Sequence, residues 1–243
     1  MRRLFLSDVH LSPCEPRRSE RFVRFLRRHM GRTDELYILG DLFDYWIGPK
    51  HLRLPDYRHV LDALREVAQS GVRVVFLHGN RDFYIGPRFR EALGLETAES
   101  HVDIADRGHR ILLCHGDHLC IRDRSTRRAQ AIIRSRWVEA IFTRLPVSLA
   151  TFLAEGYRRH STRVTARKAR RRIALAEEAV RAAFQSGVDI IVCGHVHQAA
   201  KHTWRLRGRE KILFSLGEWS KGASYLLEED GRWRLCEELW PET

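Results

Sequence analysis

The stretch Leu4-Phe5-Leu6-Ser7-Asp8-Val9-His10 decides the fold class of this chain. Its apolar half predicts a short buried strand, and its polar half begins where that strand ends. Open α/β sheets place their functional sites at this carboxyl edge. Asp8 and His10 are two residues apart, so both side chains point to one face of an extended backbone and can hold one metal ion. For an isolated pair, a buried Asp–His hydrogen bond is the commoner explanation.

The same form recurs downstream, which gives the first pair its weight. Strands are predicted at 35–39, 72–77, 110–114 and 188–193, and each runs into a glycine and a potential metal ligand. Glycine lets the backbone turn sharply at these points, so that the side chains can face a shared centre. The five strand ends deliver seven candidate ligands: Asp8, His10, Asp41, Asn80, His115, His195 and His197.

The seven candidate ligands indicate which kind of metal ion is bound and how many ions there are. A mixture of histidine, aspartate and asparagine suits Mn²⁺, Fe²⁺ or Zn²⁺. Seven ligands exceed one coordination shell that must also keep an open position. Two ions sharing a bridging aspartate explain the number better, and ions paired about 3.5–4 Å apart are a means of cleaving phosphoesters.

The overall composition is that of a globular protein. The chain has 243 residues, of which 44% are hydrophobic and 30% charged, so it can bury a sizeable core. It has no apolar stretch of membrane-spanning length, and its first residues do not resemble a signal peptide. Five scattered cysteines form no C-x-x-C pair, which predicts reduced thiols in a cytoplasmic protein. They are Cys14, Cys114, Cys120, Cys193 and Cys236.

The remaining elements alternate with the strands. Two helices are predicted to begin after the N-cap residues Ser19 and Asp56, and a short one covers 87–93. Two or three more helices are predicted between about 122 and 186. After residue 197 the pattern predicts two hairpins, which turn at 207–209 and at Asp230-Gly231. This order predicts an α/β fold with two mixed sheets flanked by helices.

The net charge of +12 lies in one segment. Residues 122–172 contain 15 Lys/Arg and three Asp/Glu, whereas the rest of the chain contains 28 residues of each sign. The predicted helices of this segment also contain bulky apolar residues. Basic and apolar residues together suit an acylated anionic substrate or a membrane surface. For most of the apolar residues, simple packing onto the domain is the more ordinary explanation.

The five motifs together resemble those of the calcineurin-like metallophosphoesterases. The resemblance implies a four-layer α/β/β/α sandwich, with a core of residues 1–121 and 173–243 and a helical cap insertion over 122–172. It implies two divalent metal ions, of which Mn²⁺ is the expected species. One ion would be held by Asp8, His10, Asp41 and His197, and the other by Asp41, Asn80, His115 and His195.

Two longer stretches and the insertion narrow the resemblance. The stretches 41–48 and 78–83 are similar to the branch of this family that hydrolyses the pyrophosphate of UDP-2,3-diacylglucosamine. That branch implies an acylated nucleotide-sugar substrate, catalytic roles for Asp41, Asn80 and Arg81, and substrate contacts by Asn80, Arg81, Ser161 and Lys168. The chain departs from the branch at Thr126 and Ala129, where aromatic residues are usual, which leaves the acyl substrate open.

Arg81 provides a chemical argument about the leaving group. Most of this superfamily has a histidine after the asparagine, and histidine can protonate an alkoxide. Arginine keeps its proton near neutral pH, so Arg81 suits a leaving group that is already a stable anion, such as a phosphate. The alternative is a structural ion pair of Arg81 with Asp44 or Asp82. The carboxylates Asp44, Asp82 and Asp117, with His118, are candidates to support the ligands from behind.

The insertion leaves several interpretations open. An apolar cavity for acyl chains is expected in the cap, lined by some of Trp137, Ile141, Phe142, Phe152 and Leu153. Peripheral association with a membrane is a second use of the same features. The basic run 167–172 could also bind a nucleic-acid backbone, but the lack of an interleaved aromatic run disfavours a nucleic-acid partner. The other open functions are a related phosphodiesterase or pyrophosphatase and a non-catalytic nucleic-acid-binding module.

Overall fold

The computed structural model describes residues 1–46, 48–82, 84–120, 135–153, 156 and 175–240. The strands are β1 (Arg2–Leu6), β2 (Glu35–Ile38), β3 (Arg73–Leu77), β4 (Glu96–Ala98), β5 (His101–Asp106), β6 (His109–Cys114), β7 (Ile190–Cys193), β8 (Ala200–Leu206), β9 (Arg209–Ser215), β10 (Gly222–Glu229) and β11 (Arg232–Leu239). The helices are α1 (Pro16–Met30), α2 (Pro55–Gln69), α3 (Pro87–Leu93), α4 (Arg136–Arg144) and α5 (Glu177–Gln185). Pro49–Arg53 and Asp117–Leu119 form 3₁₀ turns.

The strands form two mixed sheets. The first has the order β11-β10-β1-β2-β3-β4, in which β1 to β4 are parallel to one another, β10 is antiparallel to β1, and β11 is antiparallel to β10. The second has the order β5-β6-β7-β9-β8, with β6, β7 and β9 parallel at its centre. All strands that precede a predicted ligand are therefore central and parallel, which brings their carboxyl ends to one side of each sheet.

Three apolar layers hold the sandwich together. Between the two sheets lie residues such as Phe5 and Tyr37 of the first and Val192 and Phe214 of the second. The outer face of the first sheet packs against α1, α2 and α3, and that of the second packs against α5. The arrangement is a four-layer α/β/β/α sandwich, as the sequence predicts. Burial of these faces, at about 25 cal/mol per Å² of apolar area, is the main favourable contribution to folding.

The edge of the sandwich opposite the predicted site carries a buried ion network. The Arg3 guanidinium lies 2.7 Å from Glu35, 3.0 Å from Glu228 and 3.1 Å from Asp106. These carboxylates belong to β2, β10 and β5, so the network joins both sheets. Removing one partner would leave a buried charge uncompensated, which typically destabilises a protein by about 3–5 kcal/mol.

Several predicted boundaries are wrong for identifiable reasons. Helix α1 begins at Pro16, and Ser19 lies buried inside it rather than at its N-cap. Helix α2 begins at Pro55 after Leu54, which places Asp56 in its first turn. Proline is favoured at the first helical position, since its missing N–H has no partner there in any case. Strands β4 and β5 have no counterpart in the sequence prediction. The hairpins β8–β9 and β10–β11 are confirmed.

The described part of the predicted cap consists of α4 and a second helical stretch at 147–153. Its inner side, formed by Phe142, Leu145, Val147 and Ala150, packs on Tyr45 of the core. The Lys50 ammonium donates to the Leu145 carbonyl. The predicted cap boundaries at 122 and 172 lie outside the described residues.

The described cap residues do not enclose the cavity that was expected. Trp137 is 84% exposed, and Ile141, Phe152 and Leu153 are exposed as well. Only Phe142 of the five predicted lining residues faces inward, where its ring centroid lies 6.0 Å from that of Tyr84. Among the described residues, no helix is both long enough and apolar enough to cross a membrane.

Candidate metal centre

The seven predicted ligands meet where the two sheets present their carboxyl ends. Five of them adopt left-handed backbone conformations, with φ between 53° and 69°: Asp8, His10, Asp41, His195 and His197. Such values are uncommon outside glycine, and they cluster at functional sites where the surrounding structure enforces them. The other described non-glycine residues with positive φ are Arg107, Arg207 and Asp230, which lie at hairpin turns. The left-handed conformation turns each ligand out of its strand direction and toward the shared centre.

Glycines next to the ligands allow close approach as well as turning. A Cβ atom on Gly79 would lie 2.1 Å from Asp41 Oδ1, and one on Gly194 would lie 2.2 Å from Asp8 Oδ2. Neither glycine has a positive φ, so the expectation that they serve sharp turning is wrong for these two. Gly40 does have a φ of 84°. Any larger residue at 79 or 194 would displace a ligand carboxylate.

The first group of converging ligands contains Asp8, His10 and His197. Asp8 Oδ1 lies 3.3 Å from His197 Nε2 and 3.8 Å from His10 Nε2, and the two Nε2 atoms are 3.3 Å apart. The other oxygen of Asp8 accepts a hydrogen bond from the His195 backbone N–H at 2.9 Å. This bond holds the carboxylate of the first sheet against the second sheet.

The second group contains Asp8, Asp41 and His115, with Asn80 and His195 beside them. Asn80 Oδ1 lies 2.8 Å from His115 Nε2 and 3.0 Å from His195 Nδ1. His115 Nε2 is 3.7 Å from Asp41 Oδ1. In this arrangement Asp8 belongs to both groups and Asp41 to one, whereas the sequence-based prediction assigns the bridge to Asp41.

The donor set fits divalent cations. His115 Nδ1 lies 2.8 Å from the Leu39 carbonyl and donates its proton there, so in the neutral ring Nε2 presents a lone pair to Asn80 Oδ1. Two acceptors facing each other at 2.8 Å need a cation or a proton between them. Asp8 Oδ1 and His10 Nδ1 are also buried without a hydrogen-bond partner in the described part of the chain. Buried polar groups normally have partners, and a metal ion would satisfy these.

The pKa values of the cluster respond to its burial and its mixed charges. Burial lowers the pKa of His195 to about 4 and, with the charge of Arg81, holds the pKa of His10 well below its usual value. Burial opposes protonation of His197, but the neighbouring carboxylates of Asp8 and Glu218 raise its pKa to about 10. Metal binding at such a site must release protons, because an imidazole ligates only through a free lone pair.

Asp82 holds two ligand loops together. One of its oxygens accepts from the backbone N–H groups of Gly79 and Asp41, at 2.9 and 3.2 Å. The other accepts from Leu42 and Phe43, at 2.8 and 3.4 Å. The side chain is completely buried. Asp82 therefore supports the backbone of the ligands from behind rather than facing the centre itself.

The other three residues predicted to support the ligands differ in how near they lie to a ligand side chain. Asp44 lies 3.9 Å from His10 Nδ1, near enough for electrostatic contact but beyond hydrogen-bond distance. Asp117 and His118 lie in the turn after His115-Gly116, and the Asp117 carboxylate accepts from the His118 backbone N–H. The His118 side chain is about half exposed.

Arg81 lies over the second group with a quarter of its side chain exposed. Its Nε is 3.5 Å from Asp41 Oδ2, and its Nη1 is 3.4 Å from Asp44 Oδ1. The Arg81 backbone N–H donates to Asp41 Oδ1 at 3.0 Å. The alternative pairing with Asp44 is thus present, and it directs the guanidinium toward the centre. Ser161 and Lys168, the substrate contacts implied for the cap, lie outside the described residues.

Sequence reasoning missed Glu218, which contacts the ligand His197. Glu218 follows β9 in the segment Leu216-Gly217-Glu218, and its Oε2 lies 3.0 Å from His197 Nδ1. The signal was available, because Gly217-Glu218 has the same glycine-acid form after a strand as Gly40-Asp41.

Comparisons with known proteins relate the chain to one family. The sequence model for calcineurin-like phosphoesterases matches residues 1–199. A protein of Photorhabdus laumondii subsp. laumondii named UDP-2,3-diacylglucosamine hydrolase is 36% identical over 89% of this chain and 90% of its own length. A protein of the same name from Aeromonas salmonicida is 34% identical over 99% of this chain and 95% of its own. An archaeal phosphodiesterase structure aligns over 98% of this chain and 99% of its own at 9% identity, with a TM-score of 0.47.

The family model covers four-fifths of the chain and all seven candidate ligands, and the relatives match it nearly from end to end. The residues at the site are a donor set for divalent metal ions. The chain belongs to the calcineurin-like phosphoesterase family and is a metal-dependent hydrolase of phosphoric esters or anhydrides.

Proposed function

We propose that this protein hydrolyses the pyrophosphate of UDP-2,3-diacylglucosamine to give UMP and 2,3-diacylglucosamine 1-phosphate. The observation that carries the proposal is Arg81 beside the converging ligands, where a histidine acid would be expected for an alkoxide leaving group. The names of the relatives at 34–36% identity support the same substrate.

Two divalent ions, Mn²⁺ in the first instance, would be held by the seven ligands. Asp8, His10 and His197 would hold one ion, and Asn80, His115 and His195 the other. Asp41, the bridge implied by the family resemblance, would be shared by both ions, and Asp8 lies between them as the member common to both groups of donors. When bound, paired ions supply an activated water and neutralise charge on the phosphoryl oxygens. The role of the chain is to fix the positions of these donors, which Asp82 and the two close glycines do through the backbone.

The residues next to the ligands orient the substrate. Asn80 would present its amide oxygen to the ion and donate from its amide N–H to a phosphoryl oxygen of the substrate. Arg81, held between Asp41 and Asp44, directs a planar fork of N–H donors at the anhydride. Such donors stabilise the charge that develops on the leaving phosphate without supplying a proton. This favours an anhydride over an alkyl ester.

The cap supplies affinity for the acyl chains. The stretches α4 and 147–153 pack on Tyr45 and Tyr84, which follow Asp44 and Arg81 in the chain, and they leave aromatic and aliphatic side chains exposed. Burial of acyl carbons is worth about 0.8 kcal/mol per CH₂. The basic residues of 122–172, among them Lys168, together with Ser161, would contact the headgroup. The same surface would hold the protein at the face of a membrane that contains the substrate.

The test is hydrolysis of UDP-2,3-diacylglucosamine by the metal-loaded protein, with release of UMP followed by chromatography. We expect Mn²⁺-dependent turnover with two ions bound per chain. Replacement Asp41→Ala should lower it by at least about 10³-fold, since two coordination shells lose a ligand. The exposed variant Asp103→Ala serves as the control.

Other outcomes would favour the alternatives. Turnover of small phosphodiesters with none of the acylated substrate would favour a related phosphodiesterase or a pyrophosphatase for soluble nucleotides. Binding of nucleic acid without any hydrolysis would favour the non-catalytic module.

A further inference from the structure

The position of Glu218 relative to His197 has a consequence for metal binding. His197 is 36% exposed in its side chain, whereas His115 is 1% exposed. Packing fixes the ring of His115, and its Nδ1–H donates to the Leu39 carbonyl. His197 lacks such packing and lies in a left-handed loop conformation. Another contact must therefore hold the ring of His197 with Nε2 toward Asp8.

Glu218 makes that contact from the far side of the ring. Its Oε2 lies 3.0 Å from His197 Nδ1, while His197 Nε2 lies 3.3 Å from Asp8 Oδ1. Because the two ring nitrogens point in different directions, Glu218 cannot ligate the same ion. A carboxylate on Nδ1 selects the tautomer that leaves Nε2 free to bind metal, and it raises the basicity of that nitrogen.

The loop that carries Glu218 is itself fixed. The Trp219 side chain is fully buried, its backbone N–H donates to the Asp8 carbonyl, and its indole N–H donates to the Ser224 carbonyl. The Gly217 N–H donates to Ser224 Oγ at 2.9 Å. The second carboxylate oxygen of Glu218 accepts from Ser220 Oγ at 2.8 Å. Both carboxylate oxygens are thus occupied, and the orientation of the side chain is defined.

We infer that Glu218 is a positioning residue that orients His197 and tunes the affinity of the ion bound by Asp8, His10 and His197. The inference rests on the proposed two-metal function and adds a residue outside the seven ligands. Glu218 is in neither group of converging donors, so its effect should be on metal affinity rather than on the chemical step. Loss of supporting partners of this kind typically costs 10–100-fold in metal affinity.

The experiment combines two readouts on wild type and the variants Glu218→Ala, Glu218→Gln and Glu218→Asp. Nitrogen-15 spectra of the histidine rings in the metal-free protein report the protonation and tautomer of His197. Calorimetric titration with Mn²⁺ reports the affinity of each ion. Glu210→Gln, an exposed carboxylate on β9, is the matched control.

In Glu218→Ala we expect the nitrogen-15 signal of His197 Nδ1 to shift, because its hydrogen-bond acceptor is lost, and one Mn²⁺ site to weaken about 10–100-fold. Glu218→Gln keeps an acceptor oxygen but loses the charge, so it should keep the hydrogen bond from Nδ1–H with a smaller loss of affinity. Glu218→Asp should recover part of the loss. At saturating Mn²⁺, kcat should return toward the wild-type value.

Unchanged ring spectra and unchanged Mn²⁺ affinity in Glu218→Ala would overturn the inference. If that variant does not fold, unchanged values in Glu218→Gln would do so. Failure of the wild-type protein to bind two ions would instead overturn the proposed function, whatever the behaviour of the Glu218 variants.

Discussion

The candidate metal centre and the described cap residues 135–153 are built in opposite ways. At the metal centre, backbone hydrogen bonds, left-handed conformations and close glycines fix each ligand. In the cap, a few inward side chains such as Phe142 provide attachment, while Trp137 and Phe152 are exposed. The difference indicates that the two regions have separate roles. From this difference we expect the metal centre to determine the reaction and the exposed cap surface to determine which substrates reach it.

Among the variants that test this difference, Gly79→Ala should have the largest effect on metal binding and turnover. The new Cβ would lie 2.1 Å from Asp41 Oδ1 and 2.4 Å from the Asp41 backbone nitrogen, so a ligand must move. We expect weaker metal binding and a loss of turnover of at least about 100-fold, comparable with or larger than the loss of a supporting residue. Calorimetry and steady-state kinetics would measure both.

The control for this variant is Gly86→Ala. Gly86 has no atom within 4 Å of the added Cβ and no positive φ. It should therefore retain metal binding and activity. A Gly79→Ala protein with normal Mn²⁺ affinity would contradict the view that close approach, rather than turn geometry, requires glycine there.

Arg81→Lys tests whether the guanidinium at the metal centre acts as a directed hydrogen-bond donor or only as a positive charge. Lysine keeps the charge but loses the planar fork that lies between Asp41 and Asp44. We expect kcat on the pyrophosphate substrate to fall about 10–100-fold, because a directed donor to the transition state is lost. Hydrolysis of an alkyl phosphodiester should fall less, so the ratio of the two activities reports the role of Arg81. An unchanged ratio would favour a purely structural ion pair.

Trp137→Ser and Phe152→Ser test the cap side of the comparison. Because both side chains are largely exposed, stability should change by no more than about 0.5 kcal/mol. Turnover of the acylated substrate should fall about tenfold through KM, while cleavage of a small chromogenic phosphodiester stays constant. Phe142→Ala is the contrasting variant, since it removes packing on Tyr45 and Tyr84 and should destabilise the cap. Equal loss on both substrates would show that the cap acts on the metal centre.

The smallest expected effect is on the pH dependence of stability, through the aromatic side chains of Tyr45, Trp46 and His51. His51 is fully buried and stacks on Trp46 at a centroid distance of 4.7 Å, next to Tyr45. Burial lowers its pKa from 6.5 to about 3. Below pH 6.5 the unfolded chain binds a proton that the folded chain excludes, so this contribution to stability is complete above pH 6.5 and decreases as pH falls toward 3.

The expected loss is about 1 kcal/mol between pH 7.5 and pH 6. Denaturant unfolding of wild type and His51→Phe at both pH values would measure it. The variant should lack this part of the pH dependence, and identical pH dependence in the two proteins would contradict the assignment.

The sequence alone determined the α/β class, the order of the main strands and the convergence of the seven ligands. Buried strands and the polar residues that end them are local patterns, and parallel strands must present their carboxyl ends on one side. The glycine-acid pairs Gly40-Asp41 and Gly217-Glu218, which each follow a strand, are also local patterns in the sequence. Helix starts were less accurate at Ser19 and Asp56, because Pro16 and Pro55 provided a competing first-turn signal.

The tertiary structure, by contrast, decided which candidate ligands converge, which contacts hold them in place, and which cap side chains face outward. Asp8 reaches both ligand groups because the His195 N–H of the other sheet holds its carboxylate. Glu218 reaches His197 because β9 ends beside β7. Trp137 is exposed although its helix is amphipathic, since periodicity defines an apolar face without supplying the surface that covers it. These are relations between segments distant in the chain, and local sequence patterns do not encode distances between them.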